Sequence, residues 1–369
     1  RALRLEEGAL LLPGVLHREA DAIGNPLPRQ LHAAAVEGLF DTEFLTGGKH
    51  ALALGATENL GYLKKQTRLT FARVGIVDPL SLDDYRAHGG YRGLANALSM
   101  TGEQIVAAVT DSGLRGRGGA AFPTGIKWKT VLGAAADQKY VVCNADEGDS
   151  GTFADRMIME SDPFVLIEGM TIAGVAVGAT KGYVYIRVEY PQAIRTMRAA
   201  IETAKAAGLL GSGIQGSRHT FELEVREAAG AYICGEETSL LESLEGKRGQ
   251  VRAKPPLPAH KGLFGKPTVI NNLISLATVP AILADGARHY ADLGMGRSRG
   301  TMPIQLAGNV KHGGLFEAAF GLTLGELGRW FIAHYKLDVD YRVIEMEGYK
   351  PDQAPGYGWP LGERTWINP

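Results

Sequence analysis

The chain is predicted to fold as an α/β protein, with strands and helices alternating over roughly residues 110–280. Three observations lead there. Apolar runs of strand length recur at Tyr140–Cys143, Gly182–Val188 and Phe221–Val225, short and rich in Val, Ile and Tyr. Helical patterns lie between them, at Phe164–Thr180 and Pro191–Ala207. Polar residues follow directly on the first strand, in KYVVCNADEGDSGTF, and ligands of open α/β sheets sit beyond the C-terminal ends of strands.

Taken in order, residues 1–64 are rich in Ala and Gly, broken by Pro26 and Pro28, and carry no assignable site. DPLSLDDYRAHGG, at 78–90, reads as a short capped helix ending at paired glycines. Thr101–Val109 is a second amphipathic helix, entered through TGEQ, a capping-box pattern. GLRGRGGAAFPTGIKW, from Gly113, is a glycine loop leading into a helix through Trp128 and Val131. The run Phe164–Thr180 is interrupted by Glu168 and several small residues, which suits a buried helix better than a membrane span. Phe221–Val225 alternates as a strand, and AAGAYICGEETSLLESLEG is expected to turn from strand into helix. The α/β domain is bounded at 65–295. A small β-rich domain is expected to start over 296–327, through Met302–Val310 and the turn KHGGLFEAAFG. An unrelated-looking tail fills 328–369.

Bulk composition narrows the function. With 369 residues, 45% of them hydrophobic, the chain can bury the cores of two or three domains. Its 39 basic and 40 acidic side chains leave a net charge of −1, which offers no electrostatic grip on nucleic acid or an anionic membrane. The 49 glycines fall in non-repeating runs, which suggests close backbone approach to a ligand. Two cysteines, Cys143 and Cys234, form no disulfide framework and no CxxC pair, so both are expected in the core and a reducing, cytoplasmic setting fits. The chain starts at Arg1 with no charged-then-apolar leader and reads as an internal piece of a longer polypeptide.

Three constellations can carry chemistry. In the first, Gly113, Gly116, Gly118, Gly119 and Gly125 with Arg115, Arg117 and Lys127 suit a phosphate, since glycine lets backbone amides approach closely and a helix N-terminus follows. It is neither a Walker loop nor a dinucleotide fingerprint, and the plainer reading is a surface turn with solvated arginines. In the second, Asn144, Asp146, Glu147 and Asp149 form an acidic knot that can cap a helix, bind a metal or accept hydrogen bonds from ribityl or ribose hydroxyls. No metal site is assigned. The third joins Tyr232, Glu236 and Glu237 to Lys254, Asn271 and Asn272; its adjacent carboxylates suit acid–base work or complement a helix dipole.

In this order and spacing the constellations resemble the flavin-binding 51-kilodalton subunit of respiratory NADH dehydrogenase, and its relatives in NAD-reducing hydrogenases and NAD-dependent formate dehydrogenases. The resemblance covers residues 65–327 and rests on GRGGAAFPTGIKW, CNADE…GTFADR, GAYICGEET, KPP and KPTVINN. NADEGDSGTFADR with YIRVEYP looks most like the hydrogenase and formate dehydrogenase branch, and Asp149 stands where the respiratory branch has glutamate. The resemblance implies a Rossmann-like FMN-binding domain followed by a ubiquitin-like (β-grasp) α+β domain. FMN would lie along Gly116–Gly119 and Lys127 at its phosphate, and along Asn144, Asp146, Asn271 and Asn272 at its ribityl chain and ring. Glu147, Asp149, Tyr232, Glu236, Glu237 and Lys254 would surround NAD(H), with Glu147, Asp149 and Glu237 nearest the reacting ring. Phe122 matches one of three adenine-stacking phenylalanines, while Thr130 and Leu257 occupy the other two positions, which implies a looser nucleotide site.

The resemblance also implies partners: a small thioredoxin-like protein with a two-iron two-sulfur cluster, and a larger iron–sulfur or catalytic subunit. A four-iron four-sulfur cluster belongs to the family's C-terminal helical domain and takes about four thiolates. Only Cys143 and Cys234 are present, so that domain is expected to be missing. The tail WFIAHYKLDVDYRVIEMEGY…GYGWPLGERTWINP is instead similar to a fragment of a bacterial exo-acting muramidase family, which would suit a chimeric join. The competing readings are a non-catalytic scaffold fragment and, from the tail alone, a sugar-processing enzyme.

Overall fold

The computed structural model describes residues 66–149, 151–306 and 314–322, with two paired strands of two residues each, Leu3–Arg4 and Leu10–Leu11. The rest of the N-terminal segment, residues 307–313 with the expected KHGG turn, and the tail lie outside the described residues. Ahead of the sheet come α1 (Leu82–Ala87), α2 (Arg92–Leu98), α3 (Gly102–Asp111) and α4 (Thr124–Gly133). Strand β1 (Tyr140–Ala145) leads through α5 (Ala154–Ser161) and α6 (Pro163–Val177) to β2 (Lys181–Ile186). Helix α7 (Pro191–Ala206) then leads to β3 (Gly211–Ser212) and β4 (Thr220–Glu227). Helices α8 (Glu237–Leu244) and α9 (Pro258–Lys261) precede β5 (Thr268–Asn272), and α10 (Leu273–Asp285) and α11 (Ala287–Ala291) follow it.

The expected α/β architecture is present. The strands lie in the order β3-β4-β2-β1-β5, parallel throughout except for the antiparallel edge pair β3–β4. Chain order runs outward from β1 through β2 to β4, then returns to β1's other side with β5. That reversal is a topological switch point, where the strand ends splay and leave a crevice. The pleat sorts side chains by parity. Val141, Cys143 and Ala145 of β1, with Val184 and Ile186 of β2, enter the larger core, while Val142, Tyr185 and Ile270 enter a smaller one beneath α8.

Helix α6 is buried along its whole length, as its unbroken apolar run requires. Its one acid, Glu168, accepts hydrogen bonds from the Tyr85 hydroxyl (2.6 Å) and the amides of Tyr91 (2.7 Å) and Leu94 (2.9 Å), so the carboxylate is satisfied and ties α1 and α2 to the core. Glycine sets the helix spacing: a Cβ at Gly169 would lie 2.0 Å from the Leu276 carbonyl oxygen of α10. Both capped starts form as expected. Ser81 caps α1, and Thr101 and Gln104 close a reciprocal capping box on α3.

One local expectation fails. The helix expected within 228–246 forms as α8, but no strand leads into it: β4 ends at Glu227, Gly230 adopts a φ of +76°, and a 3₁₀ turn at Tyr232–Gly235 comes first. Apolar residues there cover the smaller core rather than extend the sheet. Beyond Gly300, β6 (Thr301–Leu306) and β7 (Gly314–Ala319) pair antiparallel, in the region where a small β-rich domain is expected. Its buried Glu317 accepts from the amides of Leu69 (2.8 Å), Thr70 (2.9 Å) and Phe71 (2.9 Å) and from the Thr301 hydroxyl (2.5 Å). The strand pair is thereby fixed to the segment that opens the described domain.

Candidate functional site

The switch point gathers the predicted residues. In register, Asn144 of β1 pairs with Asn272 of β5, and Cys143 with Asn271, so three amide side chains stand at adjoining strand ends. Asn144 donates to the Gly235 carbonyl (2.8 Å) and its oxygen receives the Asp146 amide (3.2 Å). Asn271 holds the Trp128 indole N–H on its oxygen at 2.9 Å. Asn272 caps α10 through the amides of Ile274 (2.9 Å) and Ser275 (3.4 Å), and its own amide nitrogen reaches Asp155 at 3.2 Å.

The glycine loop closes over this crevice. An isolated bridge between Arg115 and Pro123 ties its neck. Gly119 takes a φ of +100° and Ala121 one of +49°, both left-handed. A Cβ on Gly118 would sit 3.1 Å from the Asn272 Cβ, so the loop backbone rests against the end of β5. The backbone amides of Gly118, Gly119 and Ala120 have no partner among the described residues. Helix α4 starts directly after, at Thr124, with no side-chain cap. Unpartnered amides beside an uncapped helix start are what an anion such as phosphate takes up.

On the other side lies a chain of alternating charges. Lys127 donates to the Ile270 carbonyl (2.7 Å) and contacts Glu237 at 3.4 Å. Lys254 bridges Glu236 (2.9 Å) and Glu237 (2.8 Å). Glu236 also caps α8, receiving the amides of Thr238 (2.8 Å) and Ser239 (2.9 Å). Partial burial works against its charge, but the Thr238 hydroxyl, Lys254 and the capped amides outweigh that and hold its pKa at about 2. Tyr232, 71% exposed, donates to Asp149 at 3.1 Å across the mouth. Phe122 and Leu257 are each half-exposed, and the Thr130 hydroxyl is turned back onto the Ile126 carbonyl (3.0 Å).

Asp146 differs from its neighbours. Its Oδ2 is buried with no hydrogen-bond partner, and burial raises its pKa to about 6, with Glu189 adding to the rise and Arg187 opposing it. A buried acceptor without a donor is costly, and here it lies at the C-terminal end of β1, where the hydroxyls of a polyol chain supply donors. An FMN molecule thus fits the residues present: amides for its phosphate and an orphaned carboxylate oxygen for its ribityl chain.

Two predicted site residues have other occupations. Glu147 points inward and caps α5, accepting the amides of Asp155 (3.0 Å) and Arg156 (3.2 Å) and the Tyr190 hydroxyl (3.1 Å). Of the readings open to the acidic knot, helix capping is the one that the contacts of Glu147 fit. The Arg117 guanidinium, expected on the cofactor, is buried against Tyr290, Arg299 and Phe320. Sequence reasoning missed Asp155, Tyr190 and Ser275, although GTFADR and YIRVEYP contain the first two.

The profile of the Nuo51 FMN-binding domain matches residues 109–281, which holds the sheet, the glycine loop and the charged chain together. Among curated relatives, the chain is 51% identical to the HndC component of the NADP-reducing hydrogenase of Solidesulfovibrio fructosivorans, covering 72% of this chain and 54% of that one. It is 52% identical to a component of the NADH-quinone oxidoreductase of Rhizobium meliloti (69% and 61%) and 46% identical to one from the NADH-quinone oxidoreductase of Escherichia coli (68% and 56%). A solved NAD⁺-reducing [NiFe]-hydrogenase, air-oxidised, is 35% identical with a TM-score of 0.61, over 72% of this chain and 43% of that one. The chain thus spans little more than half the length of these curated relatives. Fold, switch-point site and sequence agree, and the chain belongs to the 51-kilodalton FMN-binding (Nuo51) family.

Proposed function

We propose that this chain binds FMN and NAD(H) and serves as the electron-transfer module of a multisubunit NADH dehydrogenase, hydrogenase or formate dehydrogenase. The observation that carries the reading is the set of unpartnered amides at Gly118–Ala120 resting on the end of β5. FMN, when bound, supplies the chemistry: it accepts a hydride from reduced nicotinamide and gives electrons up one at a time. The chain's own residues bind, orient and exclude water. Gly116, Gly118, Gly119 and Lys127 hold the phosphate end, and Asn144, Asp146, Asn271 and Asn272 line the ribityl chain and ring. Asp149, Tyr232, Glu236, Glu237 and Lys254 surround the nicotinamide nucleotide, with Phe122 against its adenine. Asp149 and Glu237 flank the reacting end, and Lys254, held between Glu236 and Glu237, keeps those two carboxylates in register. Glu147 acts at one remove, by fixing the acidic loop to α5.

Electrons would pass to an iron–sulfur relay. The four-iron four-sulfur cluster of the family cannot be built from Cys143 and Cys234, which are buried on different sides of the sheet. The expected partners are a small thioredoxin-like two-iron two-sulfur protein and a larger iron–sulfur or catalytic subunit, supported by relatives named as parts of such complexes. A cytoplasmic site is supported by two free cysteines; among the described residues no helix is long and apolar enough to cross a membrane.

The test is NADH-to-ferricyanide electron transfer on the purified chain with FMN added, beside Glu237→Gln. Turnover that requires FMN and weakens in the variant supports the module. A folded protein that neither retains FMN nor turns over is a scaffold fragment instead, and the proposal fails.

A further inference from the structure

We infer that Arg117 is a positioning residue for the flavin phosphate: without touching it, Arg117 holds the glycine loop in the shape that presents the amides of Gly118, Gly119 and Ala120. This rests on the flavin reading above.

Within the loop Gly116–Ala121, Arg117 carries the only side chain larger than a methyl group. Ordering each flexible backbone residue costs about 1–2 kcal/mol, so a loop of glycine and alanine holds one shape only if something outside it fixes it. Both ends of Arg117 do so. Its backbone amide donates to the Ser275 hydroxyl of α10 at 2.8 Å. Its guanidinium donates to the Tyr290 hydroxyl of α11 (2.7 Å), to the Arg299 carbonyl (2.7 Å) and to the Arg115 carbonyl at the loop neck (3.2 Å). The Phe320 ring lies 4.7 Å beneath it.

The socket is built for this side chain. A Cβ on Gly300 would overlap the Tyr290 ring at 1.9 Å, and one on Gly113 would come 2.9 Å from the Arg299 side chain. The Arg117 Nε is buried with no hydrogen-bond partner. That cost is borne while the other donors span two carbonyls and a phenol, a geometry that needs the planar fork of arginine and that lysine cannot reproduce. With both terminal nitrogens engaged and 7% of its surface exposed, Arg117 is no direct phosphate ligand.

The test compares FMN with riboflavin, which lacks the phosphate, by fluorescence quenching on flavin-free protein. In Arg117→Met, FMN is expected to bind about tenfold more weakly, the loss of roughly one well-placed charged hydrogen bond, while riboflavin changes by less than about twofold. Arg117→Lys keeps the charge and loses the fork, and is expected to behave like Arg117→Met. Equal weakening of both flavins, unchanged FMN binding, or FMN binding restored by lysine each overturns the inference. Should Arg117→Met not fold, Tyr290→Phe deletes one anchoring bond and should shift the same ratio by a smaller factor; a ratio unmoved there overturns it equally. Wild-type protein that binds neither flavin sinks the flavin reading itself, which the wild-type titration distinguishes.

Discussion

Asp146→Asn is predicted to stabilise the flavin-free protein while weakening its hold on FMN. The carboxyl pKa rises from 3.8 to about 6 on folding, chiefly through burial. A shift of that size corresponds to about 3 kcal/mol at about 1.36 kcal/mol per unit, and solvent screening of this only partly buried side chain reduces it to about 1–2 kcal/mol. The sign follows from proton counts. Between pH 4 and 6 the folded state holds the proton and the unfolded state does not, so stability falls as pH rises through that window and the penalty is complete above it. Asparagine carries no charge, so the variant should melt higher than wild type at pH 8 and differ little at pH 4. Thermal unfolding of both proteins at those values is the assay, with FMN titration alongside. FMN should bind the variant more weakly, because an acceptor aimed at ribityl hydroxyls has lost its charge. A variant no more stable than wild type at pH 8 would refute the assignment of a buried, underpartnered carboxylate. Unchanged FMN binding would remove Asp146 from the cofactor site.

Two further outcomes are expected. Gly169→Ala drives a methyl group against the Leu276 carbonyl, and overpacking of this kind costs about 1–3 kcal/mol; calorimetry should show Tm falling by about 2–4 °C per kcal/mol in a domain of this size, and an unchanged Tm would mean α6 and α10 lie farther apart. Leu257→Phe adds aromatic surface at a half-exposed position proposed to face the nucleotide's adenine; the KM for NADH should fall about fivefold, the value of one stacking pair, with kcat unchanged, and steady-state kinetics with ferricyanide reads both.

Much of this fold was legible in the sequence because local chemistry agrees with the tertiary result. Tyr140–Ala145 and Thr220–Glu227 announce themselves by apolar runs or alternation, and Thr101 with Gln104 spells its own capping box. The segment 228–246 misleads because its apolar residues cover the sheet without joining it, and a left-handed Gly230 is invisible to periodicity. The residues that the motifs single out stand near one crevice, but the contacts each makes there do not show in the sequence. Arg117 and Glu147 look alike in sequence to cofactor ligands, and what redirects them are Tyr290 and Arg299, over 170 positions away for Arg117 (173 and 182), and Tyr190 for Glu147. Asp146 shows the converse: its significance lies in a partner it lacks.

The two faces of the sheet are unequally upholstered. One is pressed by the wholly buried α6 and by α10; the other is closed by α8, the 3₁₀ turn and a handful of side chains such as Val142, Leu240 and Leu241. The free energy of local opening scales with the apolar contact that must be broken, so amide hydrogens on the α8 side are expected to exchange with solvent before those beneath α6. Glu236 and Glu237 ride on that thin side, while the glycine loop is bolted through Ser275 to the thick one. The crevice is therefore expected to open asymmetrically: the half proposed for a diffusing nucleotide should yield before the half proposed for a resident cofactor.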